Sequence, residues 1–204
     1  MNKTLIIFNF LLLSITAYAQ TAVKYTNSPY ISVGIGYHKI VGGNLDGADK
    51  SSTAYRIALG YYLWEHKKFG LDAEIATQNE EEIKVKTLSN GVAPNMTFKP
   101  PLELLFGAHA YYKNFTFFGK IGAAYEQIRF DSPCFNDEDG WVPEIQAGFG
   151  WLFSKHSQVD LFYMRTFGRN ISVHAPDNGS CNYNVTDHVP SLEGIFLAYV
   201  WRLN

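Results

Sequence analysis

The sequence predicts an all-β fold, an eight-stranded antiparallel up-and-down transmembrane β-barrel. Three observations carry that expectation. Period-two alternation recurs about eight times, whereas helical periodicity is hard to find. One face of the alternation is apolar; the other holds glycine, alanine and isolated charges instead of the Lys/Thr/Ser mixture of a wetted sheet face. The connections between the alternating segments are short and long by turns.

The first strand runs from Tyr30 to Val41, with Ile31, Val33, Ile35 and Tyr37 opposite Ser32, Gly34, Gly36 and His38. The second, Thr53 to Trp64, sets Tyr55, Ile57, Leu59, Tyr61 and Leu63 against Arg56, Ala58, Gly60 and Tyr62. The third, Phe69 to Gln78, sets Leu71, Ala73 and Ile75 against Asp72, Glu74 and Ala76. In the fourth, Leu102 to Tyr112, Leu104, Phe106 and Ala108 oppose Glu103, Gly107 and His109. The fifth, Phe115 to Ile128, places Phe117, Ile121, Ala123 and Tyr125 against Thr116, Lys120, Gly122, Ala124 and Glu126. The sixth, Val142 to Phe153, alternates Ile145, Ala147, Phe149 and Trp151 with Glu144, Gln146, Gly148 and Gly150. The seventh, Val159 to Phe167, is the weakest, with Val159, Leu161 and Tyr163 opposite Asp160, Phe162 and Met164. The eighth, Leu192 to Leu203, sets Ile195, Leu197, Tyr199, Trp201 and Leu203 against Phe196, Ala198, Val200 and Arg202.

Glu65 to Lys68, Lys113-Asn114 and Ser154 to Gln158 read as short turns. Gly42 to Ser52, Asn79 to Pro101, Arg129 to Trp141 and Gly168 to Ser191 read as long loops. Four long and three short connections require an even strand number with both chain ends on the short-turn side. Outer-membrane barrels keep tight turns in the periplasm and long loops outside. Tyr37, Tyr55 and Tyr125 then fall near the long loops, and Tyr112, Trp151 and Trp201 near the short turns, as two aromatic girdles.

Residues 1–19 read as a signal peptide: Lys3 in a basic start, an apolar run from Leu5 to Ile15, and Ala17-Tyr18-Ala19 before cleavage. That apolar run is shorter than the roughly 20 residues of a spanning helix. Residues 20–28 form a periplasmic lead-in and residues 29–204 the barrel. With a formal net charge of -2, nothing in the overall charge points to nucleic acid or to electrostatic binding at anionic lipid. Cys134 and Cys181 are the two cysteines, in the third and fourth long loops. In an exported chain they are expected to form one disulfide across the outer surface.

The pattern resembles the OmpA-type transmembrane domain and its small relatives, the OmpX-like and opacity-protein barrels. The residues that carry the resemblance are the glycine-spaced opening strand Tyr30 to Tyr37, Gly60-Tyr61-Tyr62, Gly148-Phe149-Gly150-Trp151, and the closing strand Gly194 to Leu203. The chain departs from the usual terminal aromatic by ending Trp201-Arg202-Leu203-Asn204. The resemblance implies an integral outer-membrane protein whose inward charges pair with one another. Those charges are Arg56, Asp72, Glu74, Lys120, Glu126, Glu144, Asp160 and Arg202. Arg56 with Glu74, and Asp160 with Arg202, are the expected pairs, because an ionised group in a narrow interior is costly without a partner.

The remaining chemistry is sparse. His109 has no second histidine at ligand spacing, so it reads as a packed, hydrogen-bonded residue and not as a metal ligand. The acidic run Asn136 to Gly140 lacks EF-hand spacing and reads as a solvated loop. No cofactor is expected. The expected role is structural and cell-surface interaction, adhesin- or receptor-like. Its partners would be outer-membrane lipid and lipopolysaccharide, with a host-cell or other extracellular ligand bound through the long loops. Two alternatives are a small-conductance pore and a lipid A acyltransferase or deacylase built on Ser172, His174, His188 or Ser191. No catalytic motif supports the second, so the chain reads as a non-enzyme. A lipocalin would invert the pattern, with apolar residues inside.

Overall fold

The computed structural model describes residues 27–41, 51–66, 68–79, 81–84, 95–99, 101–130, 137–168, 170–174, 184–188 and 191–203. Among these residues twelve strands form: β1 (Pro29–Val41), β2 (Ser51–His66), β3 (Phe69–Gln78), β4 (Glu81–Lys84), β5 (Asn95–Phe98), β6 (Leu102–Tyr112), β7 (Phe115–Phe130), β8 (Glu138–Leu152), β9 (Ser157–Thr166), β10 (Asn170–His174), β11 (Asn184–His188) and β12 (Ser191–Arg202). Eight of them make the wall, in the order β7-β6-β3-β2-β1-β12-β9-β8, and pairing of β7 with β8 closes it. Every ladder is antiparallel. The opening strand pairs with the closing one from Tyr30↔Arg202 to Val41↔Ser191. Closure leaves no sheet edge in the wall, the condition for strands to cross lipid.

The amphipathy is inside out. Ile57, Leu59 and Ile121 stand 56%, 54% and 68% exposed on the outer surface, while Lys120 and Glu74 are 8% and 5% exposed within. On β7 the outward apolar run extends from Phe115 to Tyr125, after which Gln127 and Arg129 are polar. About ten residue steps at ~3.3 Å, tilted by about 40°, give roughly 25 Å of height, the thickness of an outer-membrane apolar band. Tyr37, Tyr55 and Trp141 ring its long-loop edge, and Phe69, Tyr112 and Trp201 its short-turn edge, all exposed. Tyr125 and Trp141 are cross-strand partners with ring centroids 5.3 Å apart.

Long connections expected as loops contain further β-structure. Thr77 pairs with Leu102 in β3–β6; four residues further out on each arm, Glu81 pairs with Phe98 in β4–β5. Thr166 pairs with Leu192 in β9–β12, and four residues further out Asn170 pairs with His188 in β10–β11. Each short hairpin is therefore an in-register continuation of a wall hairpin. In sequence the intervals hold Pro100-Pro101 and Pro190, which have no N–H for a ladder. The third connection is shorter than expected as well. β7 and β8 stay paired out to Ile128↔Glu138, so much of the acidic run is strand and not loop. Polar contacts replace apolar alternation there: Tyr125 donates to Asp139 Oδ2 at 2.6 Å and Arg129 pairs with Asp137.

Candidate functional site

Alternation aims the even-numbered residues of β2 and β3 inward, and the ladders set them side by side. Arg56 Nη2 lies 2.7 Å from Glu74 Oε1 and 2.6 Å from Glu103 Oε2. Gln78 Nε2 donates to the other oxygen of Glu103 at 2.5 Å. Lys120 Nζ lies 2.6 Å from Glu74 Oε2 and 3.3 Å from Asp72 Oδ2. The Tyr30 hydroxyl sits 2.5 Å from Asp72 and 2.7 Å from Glu74, one proton serving two carboxylates. His109 Nε2 is 2.8 Å from Asp72 Oδ1. Arg56, Asp72, Glu74 and Lys120 thus form one buried cluster, completed by Glu103 and Tyr30. Such a cluster is stable only when each charge meets a partner, since bulk water is excluded.

An apolar cluster from β2, β7, β9 and β12 adjoins the charged one. Ala54, Phe118, Phe162, Met164, Phe196 and Ala198 pack together, with Phe162 and Phe196 stacked at 5.4 Å between centroids. The inward face is therefore not only the glycine, alanine and charge that the alternation suggested. Arg56 joins the two clusters, its guanidinium carbon 5.7 Å from the Phe162 centroid. The glycines explain how large rings fit so narrow a tube. Tyr30 faces Gly60 in the β1–β2 ladder, Phe196 faces Gly36 in β1–β12, and Phe162 faces Gly148 in β8–β9. A β-carbon on any of these glycines would strike the side chain of the opposite residue. Large-over-glycine pairing fills the lumen and locks register, because a one-residue slip would turn every such ring outward.

A bulge builds the short-turn mouth. Tyr62 pairs with Asp72 and Trp64 with Leu71, so Leu63 is an extra residue and both Leu63 and Trp64 face outward. Strict alternation would have sent Glu65 to lipid. The bulge turns it in, where Arg202 Nη1 meets its Oε1 at 3.1 Å and Tyr111 donates to the same atom at 2.5 Å. Arg202 also stacks over Tyr62, 4.1 Å from the ring centroid.

The expected Arg56–Glu74 pair is present, but the expected partnership of Asp160 with Arg202 is not direct. Gln158 stands between them, its Nε2 2.5 Å from Asp160 Oδ1 and its Oε1 3.5 Å from Arg202 Nη2. Glu144 is buried and accepts from Gln146 at 2.7 Å; Glu126 faces inward nearer the long-loop end. Glu65 and Gln158 escape a sequence reading because they look like turn residues. Glu103 does not: it alternates with Gly107 and His109, and its inward position was already visible. Cys134 and Cys181 lie outside the described residues. Ser172 and His174 lie on β10 and His188 on β11, with side chains outside what is described; Ser191 Oγ caps the Gly168 N–H at 3.2 Å. Among the described residues no group of three His, Cys, Asp or Glu side chains is placed to hold a metal ion.

Between Tyr30, Arg56, Glu74, Lys120, Asp160 and Phe162 remains a cavity of about 10 Å³, the limit for a single water. The lumen at this level is a packed plug. A closed barrel with lipid-facing apolar bands, two girdles and a polar, filled interior is an outer-membrane barrel. The sequence matches the model of the outer membrane protein beta-barrel domain over residues 8–188, and the chain belongs to that family. It is an integral protein of the outer membrane. Solved structures of similar fold include OprG from Pseudomonas aeruginosa, 17% identical, TM-score 0.57, covering 89% of this chain and 99% of that one. Neisserial surface protein A is 8% identical with TM-score 0.56, covering 88% and 100%. Ail of Yersinia pestis, determined in complex with the heparin analogue sucrose octasulfate, is 14% identical with TM-score 0.50, covering 86% and 99%. No curated protein matches the chain.

Proposed function

We propose that this protein is a plugged membrane anchor that presents its two outer hairpins, with the neighbouring loops, to an extracellular ligand. The observation that supports this reading best is the in-register continuation of β3–β6 into β4–β5 and of β9–β12 into β10–β11. Ladders that persist past the girdles hold a surface away from the headgroups, and loops on a rigid scaffold are where recognition sits. In sequence these segments mix carboxylates (Glu80-Glu81-Glu82, Glu138, Asp139) with cations (Lys84, Lys86, Lys99, Arg169), a composition suited to a polar ligand. The packed centre supports an anchor over a pore, and we read the chain as non-enzymatic. A Cys134–Cys181 disulfide would tie the third and fourth loops together, and thiol labelling only after reduction is its expected signature.

The test displays the full chain and a variant with residues 81–98 and 170–188 replaced by short glycine-serine turns. Heat-modifiable gel migration of both reports that the barrel is folded. Adhesion of cells to an epithelial layer is expected to fall at least several-fold in the variant, with lipid A mass profiles the same in both. Equal adhesion, with both barrels folded, would overturn the surface-interaction reading.

A further inference from the structure

The short-turn end carries a charge pattern that the lumen does not use. Lys68 directly precedes the outward Phe69, Lys113 directly follows the outward Tyr112, and Lys155 lies two residues after Phe153. All three lysines are exposed. Lys113 Nζ sits 5.5 Å from the centroid of the Tyr112 ring, at the girdle itself. Among the described residues none of the three makes an ion pair. At the other end two described outward cations are matched: Arg165 lies 3.0 Å from Glu193, and Arg129 pairs with Asp137. The single carboxylate in the three short turns, Glu65, is turned inward by the bulge and held by Arg202.

Each of the three turns thus offers a cation at the depth of the lipid headgroups with no carboxylate to neutralise it. We propose that this lysine collar is a binding surface for the phosphates of anionic phospholipids in the periplasmic leaflet. A lysine beside an interfacial ring keeps its stem along apolar carbon and its ammonium among the phosphates. The turns are too short to project further, which favours a headgroup over an acidic polymer lying deeper in the periplasm. Negative surface potential acts strongly on cations within a Debye length and weakly beyond it.

The tryptophans supply the test. Trp64, Trp151 and Trp201 belong to the short-turn half of the wall and Trp141 to the long-loop girdle. The barrel is reconstituted in phosphatidylcholine mixed with phosphatidylglycerol, with bromine on the chains of one lipid or the other. A Trp141→Phe protein reports from the short-turn side; a triple Trp64→Phe, Trp151→Phe, Trp201→Phe protein reports from the other. The short-turn reporters are expected to show about a 3-fold preference for phosphatidylglycerol that vanishes in Lys68→Gln/Lys113→Gln/Lys155→Gln. Should the lysine variant not insert, salt replaces it: about 0.5 M salt is expected to bring the preference of the unchanged collar close to parity. Equal quenching by both lipids at low salt, an undiminished preference without the lysines or at high salt, or the same preference at Trp141 would each overturn the assignment.

Discussion

The two sides of the lumen solve one packing problem by different physics. The β2–β3–β6–β7 side is filled by ions and hydroxyls, with Arg56 and Lys120 each spanning two carboxylates. At mid-height of β9 and β12 the filling is instead Phe162, Met164 and Phe196, with Glu144, Gln158 and Arg202 keeping polar groups nearer the two ends of the same wall. A polar filling is directional: each member is stable only while its partners remain, so damage to one strands another. An apolar filling is volumetric, and loss of part of a ring leaves its neighbours weakened but not charged. Both fillings hold the register, the polar one through charge partners and the apolar one through rings seated over Gly36 and Gly148.

Arg56→Ala is the sharpest way to break that contrast. It leaves Glu74 and Glu103 buried without their guanidinium and is expected to cost about 3–5 kcal/mol, read by urea titration of tryptophan fluorescence in lipid. Neutralising the carboxylates in the same chain, with Arg56→Met, Glu74→Gln and Glu103→Gln, is expected to recover much of it. A loss unaffected by that neutralisation would mean that arginine acts by volume, and the two sides would then be alike.

Glu65→Ala removes the carboxylate that the bulge turns inward. The same titration is expected to show a loss of about 3 kcal/mol or more, because Arg202 is left without its carboxylate. Stability equal to that of the parent would show that Glu65 does not hold Arg202.

Gly60→Ala sets a methyl into the Tyr30 ring, which cannot swing freely while its hydroxyl holds Asp72 and Glu74. A cost of about 2 kcal/mol is expected. Tyr30→Ala in the same chain should absorb the steric part, visible as non-additivity in a double-mutant cycle.

Phe196→Leu, on the volumetric side, is expected to be mildest, about 1 kcal/mol by the same titration. If it exceeds Arg56→Ala, the ranking of the two sides is reversed.

Much of the wall was legible before any coordinates. Alternation located all eight spanning strands, with ends shifted by a few residues, because lipid outside and a narrow lumen inside impose a strict two-residue period. It also suggested Arg56 with Glu74, as inward opposite charges on consecutive strands, although the ladder sets Arg56 opposite Gln78 and Glu74 opposite Gly60, and the long arginine side chain spans the offset. It failed at Glu65 and Gln158, where a bulge and a turn break the period. It failed again at β4, β5, β10 and β11, which are only four or five residues long, so that the alternation of Met96 with Phe98 or of Ile171 with Val173 is too brief to read as a strand.

From the residues alone came the class of fold, the side of each strand that meets lipid, and the list of inward charges. These follow from burial, which every residue reports locally through its own polarity. Which charge meets which, that Gln158 bridges Asp160 and Arg202, and that rings stand opposite glycines were decided only by the closed ladders. Partnership depends on stagger between strands, a property of the whole cylinder that no single segment encodes.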